Sequence, residues 1–112
     1  MNGTLWQLLQ QYTNIARQVY GNILNKIVLF SSYARGDFDE ESDIDVIILL
    51  DVVAEDERKG IVKLLDATYD FNQEHNVDIK PLTKSVFTFN KWKNILPFYK
   101  NISREGVVLY GV

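Results

Sequence analysis

The chain has 112 residues, 46% of them hydrophobic and 24% charged, and a net charge of −3. That suits one domain, residues 1–112, large enough to bury a core without metal or disulfide staples. With no cysteine and a single histidine, a disulfide framework, a thiolate metal site and a multi-histidine zinc site are all excluded.

From the N-terminus, Thr4 suits a helix cap with Gln7 at the third position after it. Leu5, Leu8, Leu9, Tyr12, Ile15, Ala16 and Val19 then recur at helical spacing, and Gly21 suits a helix end, so a helix is expected over residues 4–20. Lys26 to Phe30 reads as a short strand. Residues 31–42 are polar and read as a turn or loop with room for one helical turn. Asp43 to Leu50 reads as a second strand. Its apolar run is unbroken after Asp45, so both faces should be covered and the strand central. Ala54 to Glu74 reads as a second helix, with acidic Glu55, Asp56 and Glu57 in its first turn. Ile61, Leu65, Thr68, Tyr69 and Asn72 share one of its faces, and Gly60 interrupts it. Val77 to Leu82 reads as a third strand closed by Pro81. Residues 84–103 are expected to be partly helical with a break near Pro97, and Val107 to Tyr110 forms a last strand.

Charge is unevenly spread: residues 1–78 carry six Lys/Arg and fourteen Asp/Glu, whereas residues 79–112 carry six Lys/Arg and one Glu. The bland reading is solvated faces; the sharper one is a basic tail for an acidic partner or phosphate. Overall acidity argues against direct nucleic-acid binding. The longest apolar run, Val46 to Leu50, is far too short to span a bilayer, and the N-terminus lacks a signal-peptide pattern. A cytoplasmic protein with no membrane contact is the expectation.

The chemistry is concentrated between Phe30 and Leu50. Alternate residues of a strand share a face, so Asp43 and Asp45 point the same way, about 7 Å apart at Cα. Two such carboxylates can hold a hard divalent cation, and magnesium takes one or two carboxylates plus substrate phosphates. Asp78, flanked by apolar Val77 and Ile79, is the candidate third carboxylate, since a charge there needs a partner. Ser31 and Ser32 leave a strand end where backbone N–H groups and a hydroxyl can grip phosphate oxygens. Arg35 can add a fixed charge, or pair with the acidic loop Asp37 to Glu41. Gly36 lets the chain reverse. Lys80 shares a face with Asp78 in a regular strand; a solvated lysine is favoured over a phosphate contact. His75 reads as a helix-end residue.

These residues resemble a known signature. Phe30-Ser31-Ser32-Tyr33-Ala34-Arg35-Gly36 followed by Ser42-Asp43-Ile44-Asp45 is similar to that of the DNA polymerase β-like nucleotidyltransferases: Gly-Ser, ten residues, Asp-x-Asp. Ala34-Arg35-Gly36 and the closing Ile102 to Tyr110 resemble the minimal nucleotidyltransferase antitoxins. Ser31 stands where the family has glycine, and a non-glycine residue in the left-handed region costs about 1–2 kcal/mol.

The resemblance implies an α/β (α+β) fold with a mixed sheet flanked by helices. It implies nucleotidyl transfer from a nucleoside triphosphate, ATP, with two Mg²⁺ ions held by Asp43, Asp45 and Asp78 and the triphosphate held by Ser31, Ser32 and Arg35. It also implies a partner: a HEPN-type toxin encoded nearby, with AMP transferred to one of its hydroxyls, a tyrosine. The basic, aromatic-rich segment Lys84 to Arg104 is then the expected docking surface. Two alternatives stay open: a small-molecule modifier of the aminoglycoside type, and an antitoxin that neutralises by contact alone, which Ser31 favours slightly.

Overall fold

The computed structural model describes residues 3–39 and 42–111. Met1, Asn2, Glu40, Glu41 and Val112 lie outside them, so the acidic loop is followed only in part. In chain order the elements are α1 (Gly3–Tyr20), β1 (Leu24–Phe30), α2 (Ser31–Arg35), β2 (Ile44–Leu50), α3 (Ile61–His75), β3 (Ile79–Ser85), α4 (Val86–Trp92), α5 (Pro97–Glu105) and β4 (Val107–Tyr110). Short 3₁₀ turns occupy Gly21–Ile23 and Ala54–Asp56. The strands form one mixed sheet in the order β3-β2-β1-β4. β1 is antiparallel to β2 and to β4, while β2 and β3 are parallel. This is the α/β, helix-flanked mixed sheet expected.

β2 explains why two layers of helix are needed. Its Ile44, Val46, Ile48 and Leu50 pack into a core with Leu9, Tyr12 and Ala16 of α1 and Leu64 and Phe71 of α3. Its Ile47 and Leu49 pack into a second core with Val86 and Phe89 of α4 and Ile102 of α5. A strand buried on both faces reads as a continuous apolar run, and strand periodicity puts Asp45 on the second face, with Ile47 and Leu49.

Several boundaries differ from expectation. Thr4 already lies inside α1 and is no cap. The second long helix starts at Ile61, because Gly60 takes φ +83° just before it and the preceding residues close a 3₁₀ turn. Its buried face is Leu64, Thr68 and Phe71, with Leu65 and Tyr69 exposed. Helix α1 chooses that face: the Tyr12 and Thr68 hydroxyls are 2.7 Å apart, and the Tyr12 and Phe71 rings meet edge to face at 5.5 Å. The third strand starts at Ile79 and runs through Pro81 to Ser85. Proline is tolerated because β3 is an edge strand and needs no donor on its outer side.

Two contacts fix the ends that carry the site. Asn72 of α3 donates from Nδ2 to the Ile79 carbonyl at 3.1 Å and accepts the Ile79 N–H at 2.9 Å. That pair pins the start of β3 to the helix before it. Gly106 links α5 to β4 where a Cβ would strike the Val28 side chain and lie 2.5 Å from the Ile102 carbonyl; the close packing of α5 on β1 depends on its absence.

Candidate active site

Three chain segments converge at one end of the sheet. β1 leaves it at Phe30, β2 enters at Ile44, and β3 enters at Ile79. Phe30 is level with Asp45 across the antiparallel pair, and Lys80 is level with Asp45 across the parallel pair. The Ile44 N–H donates to the Asp78 carbonyl at 2.9 Å. Asp43 and Asp78, each one residue before its strand, are therefore neighbours.

The turn after β1 carries strain. Ser31 has φ +64°, in the left-handed region that glycine enters freely and other residues enter at a cost of about 1–2 kcal/mol. Its hydroxyl hydrogen-bonds the Asp45 carboxylate, a tie that the sequence did not reveal. Gly36 takes φ +84° and its N–H closes α2 onto the Ser32 carbonyl at 2.9 Å. Arg35 Nε donates to Asp37 at 3.2 Å, so the acidic-loop pairing is the one observed. Beyond it, Phe38 stacks on Tyr33 with ring centres 4.1 Å apart, and the Ser42 hydroxyl accepts the Asp39 N–H at 2.9 Å. These contacts fold the described part of the loop back on itself just before Asp43. His75 ends α3 with its ring 4.2 Å from that of Phe71.

Burial pushes the Asp45 carboxyl above its ordinary value; the Ser31 hydrogen bond pulls it back, and the nearby charges of Asp43 and Asp78 push it up again. Lys80 Nζ lies 3.2 Å from Asp43 Oδ2 and 3.9 Å from Asp78 Oδ2. The hydrogen bond to Asp43 raises the lysine's own pKa. Among the described residues, no three His, Cys, Asp or Glu side chains already stand close enough to share a metal ion. The donor chemistry nevertheless suits a hard cation: all three groups are carboxylates, they repel one another, and a positive charge already sits between two of them.

The site is open. More than a third of the Asp43 side chain and more than half of that of Asp78 face solvent. A pocket of about 120 Å³ adjoins the turn, lined by Phe30, Ser31, Arg35, Phe98 and Asn101 among others, well below the ~300–1,000 Å³ of enclosed ligand pockets. A cleft of about 500 Å³ opens elsewhere, beside Asn25, Lys26 and Asp51. These residues flank the opposite ends of β1 and β2, away from the converging carboxylates.

A family model described as a nucleotidyltransferase domain matches residues 9–110, spanning every element from α1 to β4. The chain belongs to the nucleotidyltransferase domain family. Two Methanocaldococcus jannaschii proteins, each named a putative protein adenylyltransferase, are similar to it. One is 37% identical over 102 residues, covering 91% of this chain and 94% of its own. The other is 30% identical over 77 residues, covering 68% and 75%. The fold of this nucleotidyltransferase also matches a crystal structure of a toxin–antitoxin with AMP-PNP: TM-score 0.58, 17% identity, 92% of this chain and 73% of that one. A mutant of the toxin–antitoxin MntA-HpeT matches with TM-score 0.57 and 14% identity over the same shares. No described helix of this nucleotidyltransferase is long and apolar enough to cross a membrane.

Proposed function

We propose that this nucleotidyltransferase, acting as one domain across residues 1–112, is the antitoxin of a HEPN-type toxin and transfers AMP from ATP to a hydroxyl, a tyrosine, of that partner. The observation that carries this reading is the open placement of the carboxylates: Asp43, Asp45 and Asp78 gather at a sheet end where the Asp43 and Asp78 side chains face solvent, and among the described residues the pocket beside Ser31 holds only about 120 Å³. A protein acceptor brings its own surface to such a site, and its binding energy positions the hydroxyl. The relatives named as protein adenylyltransferases support that class of acceptor over a small molecule.

Asp43, Asp45 and Asp78 would hold two Mg²⁺ ions. Bound Mg²⁺ supplies charge neutralisation at the attacking and leaving oxygens of the displacement. Asp43 and Asp45 would hold the ions against which the α-phosphate is oriented, and Asp78, on the acceptor side, would receive the hydroxyl proton. The acceptor oxygen forms its bond to the α-phosphorus as the bond to pyrophosphate breaks, and pyrophosphate leaves. Ser31 and Ser32 line the turn for the outer phosphates, and Arg35 faces them once released from Asp37. Docking uses the segment Lys84 to Arg104, which exposes Phe87, Ile95, Leu96 and Phe98 beside Lys91, Lys100 and Arg104. Phe98 packs on Phe30 at 5.7 Å, so that surface runs up to the site. A cytoplasmic location, where ATP is supplied, fits this reading.

The test is to co-express the chain with its genomic neighbour and weigh the neighbour intact. A gain of one or more AMP units, absent when Asp43 and Asp45 are both changed to Asn, is the expected result. A neighbour that stays unmodified yet is neutralised in cells overturns transfer. Contact alone would then be the function, a reading that the strained Ser31 and the lysine among the carboxylates favour.

A further inference from the structure

Lys80 holds a position that net charge alone does not explain. Parallel pairing sets it level with Asp45, and its ammonium reaches sideways to Asp43 and back to Asp78, at 3.2 and 3.9 Å. Asp43 and Asp78 are neighbours at the starts of β2 and β3, and Asp45 lies two residues along the same face from Asp43, so three negative side chains crowd one sheet end. A tethered ammonium relieves that repulsion as a compact point charge on a flexible stem. The tether is also weak: 57% of the Lys80 side chain faces solvent, and exposed ion pairs add little stability. A divalent ion seated on the same oxygens would lie within a few ångströms of the ammonium, where like charges repel strongly.

We propose that Lys80 is a built-in counter-ion of the carboxylate site, one that competes with the divalent cation for Asp43 and Asp78 and must swing off both before the ion can bind. The inference rests on reading these carboxylates as cation ligands. It makes Lys80 a positioning residue: it holds the metal-free arrangement and sets how tightly the cation is taken up.

The test is calorimetric titration of the whole, metal-free chain with Mn²⁺ as the probe. The chains compared are wild type, Lys80→Gln, Lys80→Arg and Lys63→Gln. Lys63 is exposed on α3, which packs on the other face of the sheet, so its variant removes the same net charge from a distant place. Lys80→Gln should bind Mn²⁺ about tenfold tighter, as expected for one positive charge removed from the ion's immediate surroundings. Lys80→Arg should stay near wild type, Lys63→Gln should be unchanged, and the gain should shrink at high salt. A misfolded variant would bind more weakly, so tightening cannot come from structural damage. Equal or weaker binding by Lys80→Gln, with wild type binding measurably, overturns the counter-ion. Absence of Mn²⁺ binding in all four chains sinks the cation-ligand reading with it, which tells the two failures apart.

Discussion

Ser31 offers a test in which two physical effects oppose each other by known amounts. Its φ of +64° costs about 1–2 kcal/mol relative to the right-handed region. Its hydroxyl bond to the partly buried Asp45 carboxylate returns about 1 kcal/mol. Ser31→Ala keeps the strained backbone and loses the bond, so it should destabilise by about 1 kcal/mol. Ser31→Gly loses the same bond and removes the strain, but adds about 0.5–1 kcal/mol of unfolded-chain entropy. It should fall near wild type and about 0.5–1 kcal/mol above Ser31→Ala. The order is therefore wild type and Gly together, Ala below. Urea unfolding followed by circular dichroism at neutral pH, in EDTA, resolves differences of this size through the midpoint at constant slope. If Ser31→Ala proved as stable as Ser31→Gly, the left-handed turn would be refuted. If it matched wild type, the hydroxyl would carry nothing.

Two further outcomes follow from the packing and charge described above. The Asp45 carboxyl titrates higher in the folded chain than in the unfolded one, so the native state binds that proton more readily and stability falls as pH rises through the folded value. Asp45→Asn should therefore raise the metal-free melting temperature at pH 7 and give no gain at about pH 3, below the ordinary carboxylate range; an equal gain at both values would contradict the linkage. Gly106→Ala forces a methyl against the Val28 side chain and the Ile102 carbonyl and should cost about 1–3 kcal/mol in urea unfolding, the range for overpacked sites. An unchanged midpoint would show that α5 and β4 shift without resistance.

The sequence showed most where physics is local. The unbroken apolar run of β2 announced a strand covered on both faces, and the helix over residues 4–20 followed from its spacing. The phase of α3 did not, because Leu65 and Tyr69 offered an apolar stripe as good as that of Leu64 and Phe71; the Tyr12–Thr68 contact, 56 residues apart in sequence, made the choice. β3 was set too early by reading Pro81 as a terminator, since edge position is a property of the sheet and not of the segment. Of the candidate site, the unusual backbone at Ser31 was foreseeable from the family resemblance, which has a glycine at that position. Its bond to Asp45 and the reach of Lys80 across to Asp43 depend on strand register, which no single stretch of chain records.

Pro81 bears on how anything can approach this sheet. β3 is the outer strand beside the carboxylates, and its ladder with β2 stays in register through Val46 and Pro81. The amide that proline lacks is then missing from the free side, in the middle of a seven-residue strand. A row of edge amides with a gap is a poor template for another strand, whether from a second copy or from a partner. Strand addition is disfavoured at this border, so recognition there falls to side chains and inserted loops.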